Sequence, residues 1–129
     1  MKTLVVNVRD KNYDVYIGRE GRGETGYFGN PVIRGKVCTV CGNVHPNRGS
    51  TLPCYEKYAR ERLSDDADFC SAVRKLRGRA LGCFCAGNKV LTKDDHPHCC
   101  HGQVLAELAE ELEAAVEKFV ELGGLDETP

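Results

Sequence analysis

The sequence predicts a small single α/β domain, with a short, mostly parallel sheet, flanking helices, a cysteine-bearing insert and a long acidic C-terminal helix. Three observations carry that reading. Short β-branched stretches alternate with longer helical patterns. The last third of the chain holds one sustained helical repeat. At 129 residues and 41% hydrophobic content, the chain can bury one modest core rather than two.

The elements follow in order. LVVNV (Leu4 to Val8) and DVYIG (Asp14 to Gly18) read as two strands, or as a strand and its hairpin partner, separated by a polar turn. GREGRGETGYFGNP, from Gly18 to Pro31, holds five glycines and reads as a loop. CTVCGNVHPNRGSTLPC, from Cys38 to Cys54, is again rich in turn residues and forms the core of an insert spanning 35–54. Tyr55, Tyr58, Ala59 and Leu63, then Phe69, Ala72, Val73 and Leu76, mark two helices broken near Ser64 to Asp66, with Gly78 after the second. ALGCFC, from Ala80 to Cys85, reads as a short buried strand. Val104, Leu105, Leu108, Leu112, Val116, Phe119 and Val120 then recur at helical spacing, with glutamates on the opposite face and a stop near Gly123 and Gly124.

Eight cysteines are a heavy load for this length. The N-terminus MKTLVVNVRD lacks the apolar run of a secretory signal, and no segment is long enough to cross a membrane. The expected setting is a reducing cytoplasm, where grouped cysteines serve metal or thiol chemistry more often than disulfides. Charge is divided along the chain. Residues 1–93 hold 17 Lys and Arg against 9 Asp and Glu, and residues 94–129 hold 1 against 10. Either the basic body attracts phosphates or nucleic acid, or the acidic helix lies on it and cancels its field.

The sharpest chemical signal is Cys38xxCys41 with His45 and Cys54. A CxxC lets two thiolates fold back on one ion, Gly42 gives the turn its room, and Cys54 returns from the mouth of a helix. His45 completes a Cys3His set for a structural, tetrahedral zinc ion, against which stand a redox CxxC and unrelated buried cysteines. GRGETG (Gly21 to Gly26) matches GxGxxG, but no helix pattern opens after it, so a dinucleotide fingerprint is not supported. What survives is a loop at a strand end with Arg19 and Arg22, either suited to an anion or a plain surface turn.

The third cluster is CFCAGNKVLTKDDHPHCCHG, from Cys83 to Gly102, with four cysteines and three histidines. Cys100 and His101 stand at a helix entrance, where unpaired amides favour a thiolate or a bound phosphate. Three readings stay open. Cys83 or Cys85 with Cys100, His101 and a donor from His96, His98 or Cys99 holds a metal. Alternatively, Cys85 or Cys100 is a low-pKa thiol assisted by His101, a catalytic arrangement. In the third, Cys83 is a small core residue and the histidines are solvated.

VNVRDKNYDVYIGR (Val6 to Arg19), Gly29-Asn30-Pro31, CFC (Cys83 to Cys85) and CHG (Cys100 to Gly102) leading into VLAELAEEL together resemble the short phage and bacterial family called domain of unknown function forty-three twenty-six. The resemblance implies a small α/β fold in which YIGR, GNP, CFC and CHG meet at one end of a sheet. It carries Tyr16, Gly18, Arg19, Gly29, Asn30, Pro31, Cys83, Cys85, Cys100, His101 and Gly102 over as motif residues. The Cys38 to Cys54 segment looks like a metal-binding insert of a subset of phage members, and the Ala86 to Cys99 loop is longer than usual. The expected function is a zinc-binding domain with a nucleotide or phosphorylated-ligand site at Tyr16, Gly18, Arg19 and Asn30, and with Cys85, Cys100 and His101 placed for chemistry. The competing expectation is a zinc-stabilised module, without catalysis, that binds nucleic acid or a host protein.

Overall fold

Strand β3 (Ala80–Cys83) lies between β1 (Leu4–Asn7) and β2 (Val15–Tyr16) and runs parallel to both. In this computed structural model, which describes residues 2–10, 12–19, 26–47, 49–84, 90–95 and 98–121, the first two strands are therefore not a hairpin. The chain leaves β1 through a 3-10 turn (Val8–Asp10), skips one strand position to form β2, and fills the gap only after two helices. Val5 and Val15 both register with Leu81, and Val6 and Tyr16 both register with Gly82. The outer edge of β1 is closed by Leu91, whose amide and carbonyl pair with those of Val5 at 2.9 and 2.8 Å.

Helices α1 (Leu52–Asp65) and α2 (Ala67–Arg74) are separated by one residue, Asp66. Its extended backbone ends α1, and its carboxylate accepts from the Phe69 amide at 3.0 Å to cap α2. Pro53 in the first turn of α1 forgoes an amide that has no helical partner there. Helix α3 (His101–Glu121) packs against α1, α2 and the sheet, burying Val104, Leu105, Leu108 and Ala109 among Tyr55, Phe69, Val73 and Leu81.

The acidic face of α3 meets the basic body directly. Arg60 makes a bidentate pair with Glu111 at 3.0 and 3.1 Å, while Arg74 meets Glu113 and Arg77 meets Glu110 at 3.5 Å. These exposed pairs add little stability each. Their effect is to neutralise charge between segments that the sequence separates by 33 to 51 positions.

Close approach of α3 to the sheet depends on Gly102. A Cβ there would lie 2.6 Å from Ile17 Cδ1 and 2.9 Å from Val5 Cγ1, so only glycine lets the first turn of the helix rest on β1 and the end of β2. That contact delivers Cys100 and His101 to the carboxyl end of the strands.

Candidate metal centre and adjoining cleft

Cys38 and Cys41 share one tight turn. The Cys38 amide donates to Asn43 and the Gly42 amide to Cys38 (2.8 and 2.9 Å), Gly42 takes φ +81°, and Val37 and Val44 bridge across the base. The amides of Val40 and Cys41 point at Cys38 Sγ from 3.3 and 3.4 Å. His45 comes back on the second arm with Nε2 3.4 Å from Cys41 Sγ, and Cys54 enters from the first turn of α1. One donor atom from each of Cys38, Cys41, His45 and Cys54 lies within 4.8 Å of every other, so the four can hold a metal ion.

Electrostatics divide these thiols. Burial works to raise the Cys38 thiol, but hydrogen bonds from the Cys41 and Val40 amides outweigh it and bring it down to about 6. Burial pushes Cys54 up to about 11, helped by the neighbouring Cys41 and Cys38 sulfurs. Three thiolates this close repel one another, and a divalent cation removes the repulsion. Soft sulfur donors with one imidazole suit a tetrahedral, thiophilic ion and fill all four of its positions.

A second group sits where β3 meets α3. Donor atoms of Cys83, Cys100 and His101 lie within 4.8 Å of one another, and all three residues are buried. His101 Nδ1 is 3.9 Å from Cys83 Sγ, while its Nε2 is 2.6 Å from the Ile17 carbonyl oxygen. A carbonyl only accepts, so Nε2 carries the proton and Nδ1 presents its lone pair to the sulfurs. The Gly102 amide donates to Cys100 Sγ at 3.4 Å.

The motif stretches converge around this point. His101 and Gly102 touch Ile17, and Gly29 packs so closely on the next turn of that strand end that a Cβ would lie 3.1 Å from Gly18 O and Arg19 Cα. Tyr55 links the two halves: its ring edge meets His101 at 5.2 Å and its hydroxyl donates to Phe28 O at 3.0 Å. Burial, chiefly, drives the Tyr55 pKa far above the ordinary phenol value, so it remains a neutral donor. A model described as Domain of unknown function (DUF4326) matches residues 5–111. The chain belongs to the DUF4326 family. The match spans both cysteine groups and all the converging motifs. No curated protein and no solved structure matches the chain.

Within this DUF4326 domain, an open cleft of about 430 Å³ lies beside the strand ends, lined among others by Arg19, Tyr27, Asn30, Tyr58 and Arg62. Arg19 donates from Nε and Nη2 to the carbonyls of Asn30 and Val32, both at 3.0 Å. Asn30 is buried, donating to Thr51 Oγ1 at 3.1 Å and accepting from the Val32 amide at 2.8 Å. The Tyr16 hydroxyl donates to Arg19 O at 2.6 Å, and a Cβ at Gly18 would run into the Tyr16 ring. These four residues thus brace one another at the edge of the cleft.

Cys85, His96 and the 21–25 part of the glycine loop, including Arg22, lie outside the described residues. His98 bonds the Lys93 carbonyl at 2.8 Å. Two side chains at the site were missed in the sequence reading. Arg62 looks like any exposed helix cation, yet its guanidinium lies over Phe69 and Tyr27, at 4.1 and 4.7 Å, and donates to Tyr27 O and Tyr58 Oη. Gln103 falls in an apolar run, yet it is fully buried. Its Oε1 accepts from the Cys99 and Cys100 amides and its Nε2 donates to Thr92 O and Asp95 O. The reach of Gln103 back to the amide before the helix is the pattern of a capping box, a signal readable from Cys100 and Gln103 three apart.

Proposed function

We propose that this DUF4326 domain is stabilised by a zinc ion on Cys38, Cys41, His45 and Cys54, and that it binds a nucleotide or another phosphorylated ligand in the cleft beside Arg19, Asn30 and Arg62. The observation that carries the ligand reading is the charge state of Arg19. It is held in place by two neutral carbonyls, and among the described residues no carboxylate pairs with it. A fixed guanidinium fork suits a phosphate. The rings of Tyr27 and Tyr58 on the same cleft offer stacking surfaces for a base. Arg19 stands on the loop that leaves the carboxyl end of β2, and loops at that end of the strands are where α/β domains bind ligands.

Tyr16 and Gly18 enter as residues that shape the loop, with Arg19 and Asn30 nearest the ligand. Zinc at the first centre is structural, because four protein donors leave no position for a reactant. Cys100 and His101 are 1% and 6% exposed and do not line the cleft, so a ligand held there does not touch them. Binding is therefore the centre of the proposal.

Calorimetric titration of the zinc-loaded protein with AMP, ADP and inorganic pyrophosphate tests it. Binding that weakens with salt, and at least about tenfold on Arg62→Gln, is expected from the loss of one charge-assisted contact. No heat with any of the three probes, from folded and loaded protein, would sink the ligand reading. A module that docks nucleic acid or a host protein draws on the Cys38 to Cys54 insert, the knuckle, where Val37 and Val44 are 67% and 50% exposed and Arg34 and Lys36 stand beside them in sequence. Retention on a single-stranded oligonucleotide without mononucleotide binding would favour it.

A further inference from the structure

We infer that Cys83, Cys100 and His101 form a second metal centre, separate from the knuckle, that takes a thiophilic divalent ion such as zinc between β3 and the start of α3. The inference stands on geometry at the sheet and does not depend on the ligand reading.

The spacing is that of a coordination shell. A tetrahedral ion with sulfur at about 2.3 Å and nitrogen at about 2.0 Å sets those two donors about 3.5 Å apart. Cys83 Sγ and His101 Nδ1 are 3.9 Å apart, a few tenths beyond that edge and long for a thiol hydrogen bond. The corresponding pair in the knuckle, Cys41 Sγ and His45 Nε2, stands at 3.4 Å. Both groups therefore present sulfur and nitrogen at comparable separations, on unrelated pieces of backbone.

The imidazole is set up as a ligand. Metal-bound histidines donate their second ring N–H to a carbonyl or carboxylate, which fixes the tautomer and makes the ligating nitrogen more basic. His101 does this through the 2.6 Å contact from Nε2 to Ile17 O, and so turns the Nδ1 lone pair toward the two sulfurs. Cys100 is likewise prepared, since the Gly102 amide in the first turn of α3 favours the thiolate. Exposure of 4%, 1% and 6% for Cys83, Cys100 and His101 keeps bulk water from competing. The described residues supply three donors, and the fourth position of the ion goes to a single bound water.

The centre would tie the CFC strand to the CHG helix and hold the Ile17 carbonyl, and with it the YIGR turn, in position. One ligand from the central strand and an adjacent pair at the entrance to α3 bridge parts of the chain up to 18 residues apart.

Cadmium-113 NMR of the wild-type protein, loaded by exchange under reducing conditions, tests the inference without a substitution. Two resonances are expected, one for each centre, and a single resonance assigned to the knuckle overturns it. Metal analysis of zinc-loaded protein should give two equivalents, with one retained in His101→Gln and in Cys38→Ser. Two equivalents still bound to His101→Gln, or one equivalent in the wild type with a Cys83 to Cys100 disulfide found by mass spectrometry, would also overturn it.

Discussion

His101 Nε2 and the carbonyl oxygen of Ile17 stand 2.6 Å apart, across 84 positions of sequence, and this one hydrogen bond joins the start of α3 to the end of β2. It anchors the strand end while it chooses the tautomer of the imidazole. Glutamine at this position can place an amide nitrogen near Nε2 but nothing near Nδ1. His101→Gln should therefore be more stable than His101→Ala by about 1 kcal/mol, the net worth of one hydrogen bond. Urea unfolding of the two variants in the presence of chelator measures the difference, and equal midpoints would remove the anchoring role.

The knuckle should be stabilising only when loaded. At a hundredfold excess of zinc over its Kd, mass action adds about 2.7 kcal/mol. Cys41→Ser, which removes one of four donors, should lose most of that increment, and chelator should reproduce the loss in the wild type. Thermal melts with and without chelator check this; a Cys41→Ser melt that still responds to zinc as the wild type does would contradict it.

Proton release should accompany loading. At pH 7 Cys38, at about 6, is mostly thiolate, whereas Cys54, at about 11, still holds a proton that the metal must displace. Zinc titrations at pH 7 in buffers of different ionisation enthalpy should show that release, and retention should fail as pH drops through about 6. In the metal-free protein the lowered Cys38 value stabilises the fold fully above the ordinary 9.0 and is lost as pH falls through about 6. Cys54 acts in the opposite sense, stabilising below 9.0 and ceasing to do so as pH rises through about 11.

Gln103 should prove one of the costliest positions in α3. Gln103→Leu keeps the volume but orphans the amides of Cys99 and Cys100 and the carbonyls of Thr92 and Asp95. With about 1 to 3 kcal/mol for each buried unpaired group, a loss of at least 3 kcal/mol is expected even if water reaches some of them. Denaturant unfolding reads it directly, and a loss under about 1 kcal/mol would mean the loop at 90–95 does not depend on this side chain.

Gly102→Ala probes the helix contact. The added methyl meets Ile17 and Val5 inside van der Waals distance, so α3 must lift or the sheet must give, at about 1 to 3 kcal/mol. Alanine is also the better helix former, so stabilisation would show that the helix does not need this approach.

The helices, their break at Asp66, the apolar stripe of α3 and the Cys38, Cys41, His45, Cys54 set were all legible in sequence, because each is written in spacing over a few turns of chain. Periodicity and a CxxC are local patterns with local causes. The sequence alone left three things undecided. Whether LVVNV and DVYIG pair with each other was settled by β3, which arrives more than 60 residues later and takes the place between them. Which basic side chains meet the acidic helix became visible only in the fold, where Arg60 pairs with Glu111, and Arg74 and Arg77 with their own glutamates, once α3 docks. And His101 could be read as a helix-start base or a ligand until the Ile17 carbonyl, a group that every residue carries and no sequence advertises, fixed which nitrogen faces the sulfurs. Short-range rules determine what each segment becomes, while the chemistry of a buried donor depends on which backbone atom folding sets beside it.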